Sequence, residues 1–343
     1  FTKTFIKNNN FNKEVALRRN SHAGQALSGG FGASLLTDDE LEQIHLATLE
    51  VLENTGVFVE DPEALEIFQG AGAMVDPDKK IVKFSPYLVE EAIQSTPSKL
   101  FLAGRDPKND VILESNRVGF TTFGEGVKVR DPYTGELRAP TKEDVGNAAK
   151  LADAMDEVDV YERAVGAHEV PQVVGQLHNA EASFNNTSKH LFMGPFDGYQ
   201  LKKIVEMATA IAGSKEKLLE RPLVTFITCP VSPLKLVQDT CEVIMGAARS
   251  GMAVNILSMA MSGGSSPVTL AGTLVNHNAE VLSGIVLSQL TRKGAKVIYG
   301  SSTTAMDLRL ATASVGSPEC AMISGAVARL ARYYALPSFV AGG

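Results

Sequence analysis

From Thr141 onward, short apolar runs alternate with longer segments of mixed polarity. The runs Val160 to Val165, Leu191 to Gly194, Leu223 to Thr228, Ala253 to Leu257, Val297 to Tyr299 and Ser338 to Val340 have the length and residue types of strands. The segments between them, at 142–156, 173–187, 199–212, 234–250, 267–290 and 317–334, read as helices. Thr141 and the pair Ser317-Pro318 supply helix-start chemistry: a side chain that accepts from an early amide, and a proline at the first helical position. Strand starts recur every ~30 to 45 residues, and this βα repeat predicts a parallel sheet.

Before Thr141 the pattern differs. Residues 1–34 are rich in Asn, Gly and Ser without apolar periodicity, and read as a poorly ordered arm or one that packs on a neighbouring subunit. Thr37-Asp38-Asp39-Glu40 is a capping box opening a helix to about Asn54, with Leu41, Ile44, Leu49 and Leu52 on its apolar side. Asp61-Pro62 and Ser85-Pro86 open two more helices, with a turn at Asp76-Pro77-Asp78-Lys79 between them. Residues 99–139 read as β-hairpins with turns at Asp106-Pro107 and Asp131-Pro132. The expected organisation is therefore an arm (1–34), an α+β N-terminal region (35–140) and a βα-repeat region (141–343).

A doubly wound sheet and a TIM (β/α)8-type barrel both satisfy the repeat. The nearest match to a dinucleotide fingerprint, Phe123-Gly124-Glu125-Gly126, lies in the hairpin region. Polar strand ends recur along the repeat instead of concentrating at one switch point, which favours the barrel with its site at the C-terminal rim. Six strands are legible where eight are needed, and a whole barrel takes roughly 250 residues. The expectation is an incomplete barrel belonging to a longer protein.

Composition narrows the function. A net charge of −7 and a pI near 5.5 argue against a nucleic-acid partner. No run of 18 uncharged apolar residues predicts a membrane span. Three scattered cysteines, Cys229, Cys241 and Cys320, fit a reducing cytoplasm and show no zinc-ligand spacing, so no metal is expected.

Two loops concentrate candidate chemistry. Leu257 to Pro267 joins a strand end to a long helix, with Pro267 expected at its first position, and it carries Ser258, Ser262, Gly263 and Gly264. The second loop carries Ser301, Ser302, Thr303 and Thr304, followed by Asp307 and Arg309. The hydroxyls can bond a substrate or cap strand ends, and both readings stand. Met259 and Met261 can line a wall or fill the core. Glu125, between two glycines, can face a cationic ammonium. His277 and Glu280 share a face of an apolar helix and read as a buried polar pair or subunit contact. His168 and Glu169 follow a strand end.

The runs LSMAMSGGSSPV (257–268), LAGTLVNHNAEVLSGIVL (270–287), GSSTTAMDL (300–308) and GSPE (316–319) closely resemble the trimethylamine:corrinoid methyltransferase family. FGEGVKV (123–129), CPVSPL (229–234) and LPSFVAG (336–342) extend the likeness from about Leu35 to the last residues. The resemblance implies a (β/α)8 barrel. It implies transfer of a methyl group from trimethylamine to the Co(I) corrinoid of a cognate partner protein, the reaction that opens methylamine use in methanogenesis. The family's electrophile is pyrrolysine, encoded at an in-frame amber codon after a segment like LPSFVAGG, so the resemblance places it after Gly343. An amine leaves only as a cation-derived group, and addition to the pyrrolysine imine makes the nitrogen quaternary and orients it.

On this reading Ser258, Ser262, Ser301, Ser302, Thr303, Thr304 and Arg309 are substrate-side candidates. Met259, Met261, Gly263 and Gly264 face the corrinoid, Glu125 is a weak catalytic candidate, and a homo-oligomer is expected. Two alternatives remain. A quaternary amine such as glycine betaine would not need pyrrolysine, and Arg309 would then hold its carboxylate. Alternatively, the chain is an inactive fragment that at most binds a partner.

Overall fold

The computed structural model describes residues 25–26, 34–114, 117–124 and 126–342. Glu125 and Gly343 lie outside the described residues, as does nearly all of the expected arm. The described residues divide by packing into two compact units: 25–26, 99–193 and 206–225 form one, and 34–98, 194–205 and 226–342 form the other.

The six expected strands are all present: β1 Val160–Glu162, β2 His190–Met193, β3 Val224–Thr228, β4 Ala253–Ser258, β5 Val297–Ser301 and β6 Ser338–Val340. In the first unit β1 and β2 pair in parallel, Val160 opposite His190 and Glu162 opposite Phe192. In the second, β4 and β5 pair in parallel over five residues, and β5 pairs in parallel with β6. The intervening helices are α4 Lys142–Ala154, α5 Gln172–Asn186, α6 Gly198–Ala212, α7 Lys215–Glu220, α8 Gln238–Ser250, α9 Leu270–Thr291 and α10 Pro318–Tyr333. They are preceded by α1 Asp38–Glu50, α2 Pro62–Gly70 and α3 Pro86–Ser95.

Local chemistry sets the helix starts. The Thr37 and Thr141 hydroxyls accept from the amides of Glu40 and Asp144, whose carboxylates reach back to close two capping boxes. Asp61, Ser85 and Ser317 cap α2, α3 and α10, each followed by proline. At its far end α1 runs into a π-helical turn, Val51–Thr55, which stops at Gly56 with φ +79°.

In the first unit, one expected feature differs. Part of the stretch read as hairpins lies alongside β1 in parallel, with bridges Thr121 to Val160 and Gly126 to Val165. The Gly126 amide donates to the Ala164 carbonyl at 2.7 Å. A Cβ on Gly124 would stand 2.5 Å from the Arg163 carbonyl oxygen, so only glycine permits this approach. True hairpins flank it at Leu100–Leu102 with Val111–Leu113 and at Val129–Arg130 with Leu137–Arg138.

The second unit is organised around α9. This helix is mostly apolar but carries Asn276, His277, Asn278 and Glu280 in its buried stretch, which marks a core helix with an internal polar cluster. Sixteen of its residues are buried. It packs against α1, α2, α3, α8 and α10 and against β4 and β5. It begins at Leu270, capped by Thr269, and not at Pro267. The cause is local: the Ser262 hydroxyl takes the carbonyls of Pro267 and Val268, and Thr273 Oγ1 also donates to Pro267, which hold that segment outside the helix.

Candidate functional site

In the second unit, the loops after β4 and β5 do not stay irregular. Met261–Ser262 pairs in parallel with Thr304–Asp307, and Thr312–Ala313 pairs antiparallel with the latter, forming a small sheet at the C-terminal strand ends. In a barrel fold this end carries the ligand site.

Ser258 closes β4. Its hydroxyl donates to Glu280 Oε2 at 2.6 Å, and its carbonyl accepts from the Ser302 amide at 2.9 Å and Thr303 Oγ1 at 3.2 Å. Ser262 spends its hydroxyl on the Pro267 and Val268 carbonyls. Ser301 Oγ accepts from the Thr303 amide, and Thr304 Oγ1 donates to the Ser314 carbonyl. These four hydroxyls hold the rim together. Ser302 is half-buried, and its hydroxyl makes no hydrogen bond among the described residues.

The glycines have separate jobs. Gly263 sits at φ +82° with its amide turned to the Ser266 and Pro267 carbonyls, a left-handed turn that disfavours any side chain. A Cβ on Gly264 would meet Met306 Sδ at 2.4 Å, so this glycine lets the two loops close on each other. Met261 is half-buried and Met259 is exposed, while the exposed side chains of Val268 and Leu308 flank Gly263. Asp307 accepts from the amides of Arg309 and Leu310 and shapes a turn, and Arg309 is exposed on it.

Glu280 anchors the site from behind. Its carboxylate is fully buried on α9 and accepts four hydrogen bonds: Oε1 from the Leu234 amide (3.0 Å) and Asn276 Nδ2 (2.8 Å), Oε2 from Ser232 (2.9 Å) and Ser258 (2.6 Å). Burial raises its pKa while these four donors oppose the rise. Ser232 and Leu234 belong to the CPVSPL loop after β3, so one carboxylate ties that loop to the end of β4.

His277 does not pair with Glu280. Its Nδ1 lies 3.1 Å from Thr303 Oγ1, whose own proton goes to the Ser258 carbonyl, so Nδ1 carries the hydrogen. Complete burial lowers its pKa to about 3 and keeps the ring neutral. The next residue, Asn278, donates to Thr48 Oγ1 and the Tyr334 hydroxyl and accepts from the Tyr299 hydroxyl. The chain of bonds continues from Tyr334 to His45 Nδ1 and from His45 Nε2 to Glu90. Ser232, Asn276 and this Asn278 network carry no sequence signal beyond polar residues in an apolar helix and loop.

The remaining candidates lie elsewhere. In the first unit Glu169 Oε1 accepts from the Lys142 amide at the start of α4, and His168 is exposed. Cys229 is half-buried, with its carbonyl accepting from Thr240. Among the described residues no group of three His, Cys, Asp or Glu could hold a metal ion, and no helix is long and apolar enough to cross a membrane.

Residues 10–343 match the family model described as trimethylamine methyltransferase (MTTB). The chain is 56% identical over 327 residues to the trimethylamine methyltransferase MttB of Desulfitobacterium hafniense (strain DSM 10664 / DCB-2), covering 95% of this chain and 66% of that protein. It is 46% identical over 330 residues to MttB of Methanosarcina thermophila, covering 95% and 68%. A glycine betaine methyltransferase of D. hafniense (strain Y51) is 35% identical over 312 residues, covering 90% and 64%. The chain thus spans about two thirds of the length of these relatives. Among solved structures, the Methanosarcina barkeri monomethylamine methyltransferase (MtmB) superposes with a TM-score of 0.51 at 15% identity, over 90% of this chain and 68% of that one. A hydroxylamine complex of MtmB gives 0.52 over the same shares. At that identity the likeness is one of fold, a TIM-barrel type.

Proposed function

The chain belongs to the trimethylamine methyltransferase family, and on that premise we propose that its protein moves a methyl group from trimethylamine to the Co(I) corrinoid of a partner protein. The observation that carries this reading is the margin of identity: 56% to a trimethylamine methyltransferase against 35% to a glycine betaine methyltransferase, both from D. hafniense.

The partner's corrinoid, when docked, would supply the nucleophile as reduced cobalt. What this chain contributes is a wall and a frame. The exposed side chains of Met259, Val268 and Leu308 give the rim an apolar surface of the kind a flat macrocycle covers. The Ser302 hydroxyl offers a neutral acceptor or donor at the strand ends. Glu280 and the bonded hydroxyls of Ser258, Ser262, Ser301 and Thr304 keep the frame in one geometry, which methyl transfer in line with a leaving nitrogen requires. None of these groups is a charged partner for a carboxylate. Arg309, the betaine candidate, stands on an exposed turn, which supports the amine over the betaine.

The test uses the full-length protein with its corrinoid partner reduced to Co(I). Trimethylamine is expected to be demethylated with a kcat/KM at least about a hundredfold above that for glycine betaine. Turnover of glycine betaine alone would replace this reading with the quaternary-amine one.

A further inference from the structure

Alternation along β4 and β5 assigns each side chain to a face. Ile256 packs on Gly284 of α9, and Ser258 bonds Glu280, so these positions face the helices. Asn255 and Leu257 therefore face the other way. On β5, Tyr299 bonds Asn278 of α9, which turns Gly300 to the face of Asn255. The parallel register of Gly300 with Phe339 brings Phe339 to that face as well. In a barrel whose helices lie outside, this is the interior.

Asn255 is 0% exposed, and neither its Oδ1 nor its Nδ2 has a partner among the described residues. A buried carboxamide with both ends unmet destabilises a protein unless something else binds it. The neighbouring strand is shaped to hold the group there. A Cβ on Gly300 would stand 2.0 Å from Asn255 Oδ1, so the amide lies across β5 only because residue 300 has no side chain. An aromatic residue on the same face suits an N-methylated cation.

We propose that Asn255 is a ligand-binding residue, whose carboxamide oxygen accepts the N–H of a protonated methylated amine held on the inner face of the sheet. The inference rests on the function proposed above and names the group that meets the substrate nitrogen. A carboxamide accepts a charge-assisted bond from an ammonium without adding a charge that would hold the amine after transfer.

The test measures binding of trimethylammonium, which has one N–H, and tetramethylammonium, which has none, to the full-length protein by calorimetry. In Asn255→Leu the Kd for trimethylammonium is expected to rise about tenfold or more, with that for tetramethylammonium changed less than about twofold. The melting temperature should hold or rise, since no bond among the described residues is lost. Gly300→Ala, which displaces the amide, should give the same selective loss. Equal weakening of both ligands, an unchanged ratio, or failure of Asn255→Leu to fold would overturn the assignment. A wild-type protein that binds neither ion would instead remove the proposed function itself.

Discussion

Ser258 Oγ lies 2.6 Å from Glu280 Oε2, and this bond turns a strand-end hydroxyl away from the barrel interior and onto the helix behind it. The same carboxylate reaches Ser232 and the Leu234 amide. Two rim loops separated widely in sequence thus share one anchor.

Removing that anchor should be costly. Glu280→Ala leaves four buried donors without an acceptor and opens a cavity, and a loss of about 3 to 5 kcal/mol in denaturant unfolding is expected. Glu280→Gln keeps the volume but places an amide NH2 against donors, and should lose about 1 to 3 kcal/mol. A smaller loss for alanine than for glutamine would contradict the four-bond arrangement.

Asn278 should behave as a hub. Asn278→Leu breaks its bonds to Thr48, Tyr334 and Tyr299 at once, and about 3 kcal/mol of stability should go with them. Tyr299→Phe removes one of the three and should cost about 1 kcal/mol. The two substitutions combined should cost less than their sum, because they share a bond.

Stability should fall on mild acidification. His277 and His190 are buried and neutral, with pKa values lowered to about 3 and about 4 by desolvation, while unfolded histidine titrates near 6.5. Between those limits the unfolded chain binds more protons, so stability is present above the unfolded value and is lost as pH falls. Each histidine contributes a loss of about 2 kcal/mol by pH ~5. Unfolding from pH ~8 to ~5 should show this slope, and His277→Gln should flatten it by about half.

The rim turn depends on Gly263. At φ +82°, alanine should cost about 1 to 2 kcal/mol and shift the paired loops, lowering kcat more than it raises KM. Gly264→Ala must displace Met306 instead, and Met306→Ala should partly restore it.

Much of this fold is legible in the sequence because its causes are local. Thr37, Asp61, Ser85, Thr141 and Ser317 cap helices with their own side chains, and the βα strands are short apolar runs. The stretch beside β1 was hidden because it has no apolar run; its pairing depends on Gly124 and Gly126 meeting carbonyls about forty residues away. Helix α9 starts three residues later than Pro267 suggests because Ser262 and Thr273 compete for the carbonyls just before it. Alternation puts Ser258 on the helix side of β4 with Ile256, but that its partner there is Glu280 is not written in the strand. Asn255 did leave a trace: a lone polar residue inside AVNIL, with a glycine near the end of the next strand, VIYGS.

The central claim is tested most directly by mixing the full-length protein, its corrinoid partner as Co(I) and deuterated trimethylamine, (CD3)3N. The account predicts that one CD3 group appears on cobalt as one dimethylamine is released, with the corrinoid spectrum changing from Co(I) to methyl-Co(III). No labelled methyl on cobalt, with methyl-Co(III) forming instead when glycine betaine is supplied under the same conditions, would contradict it.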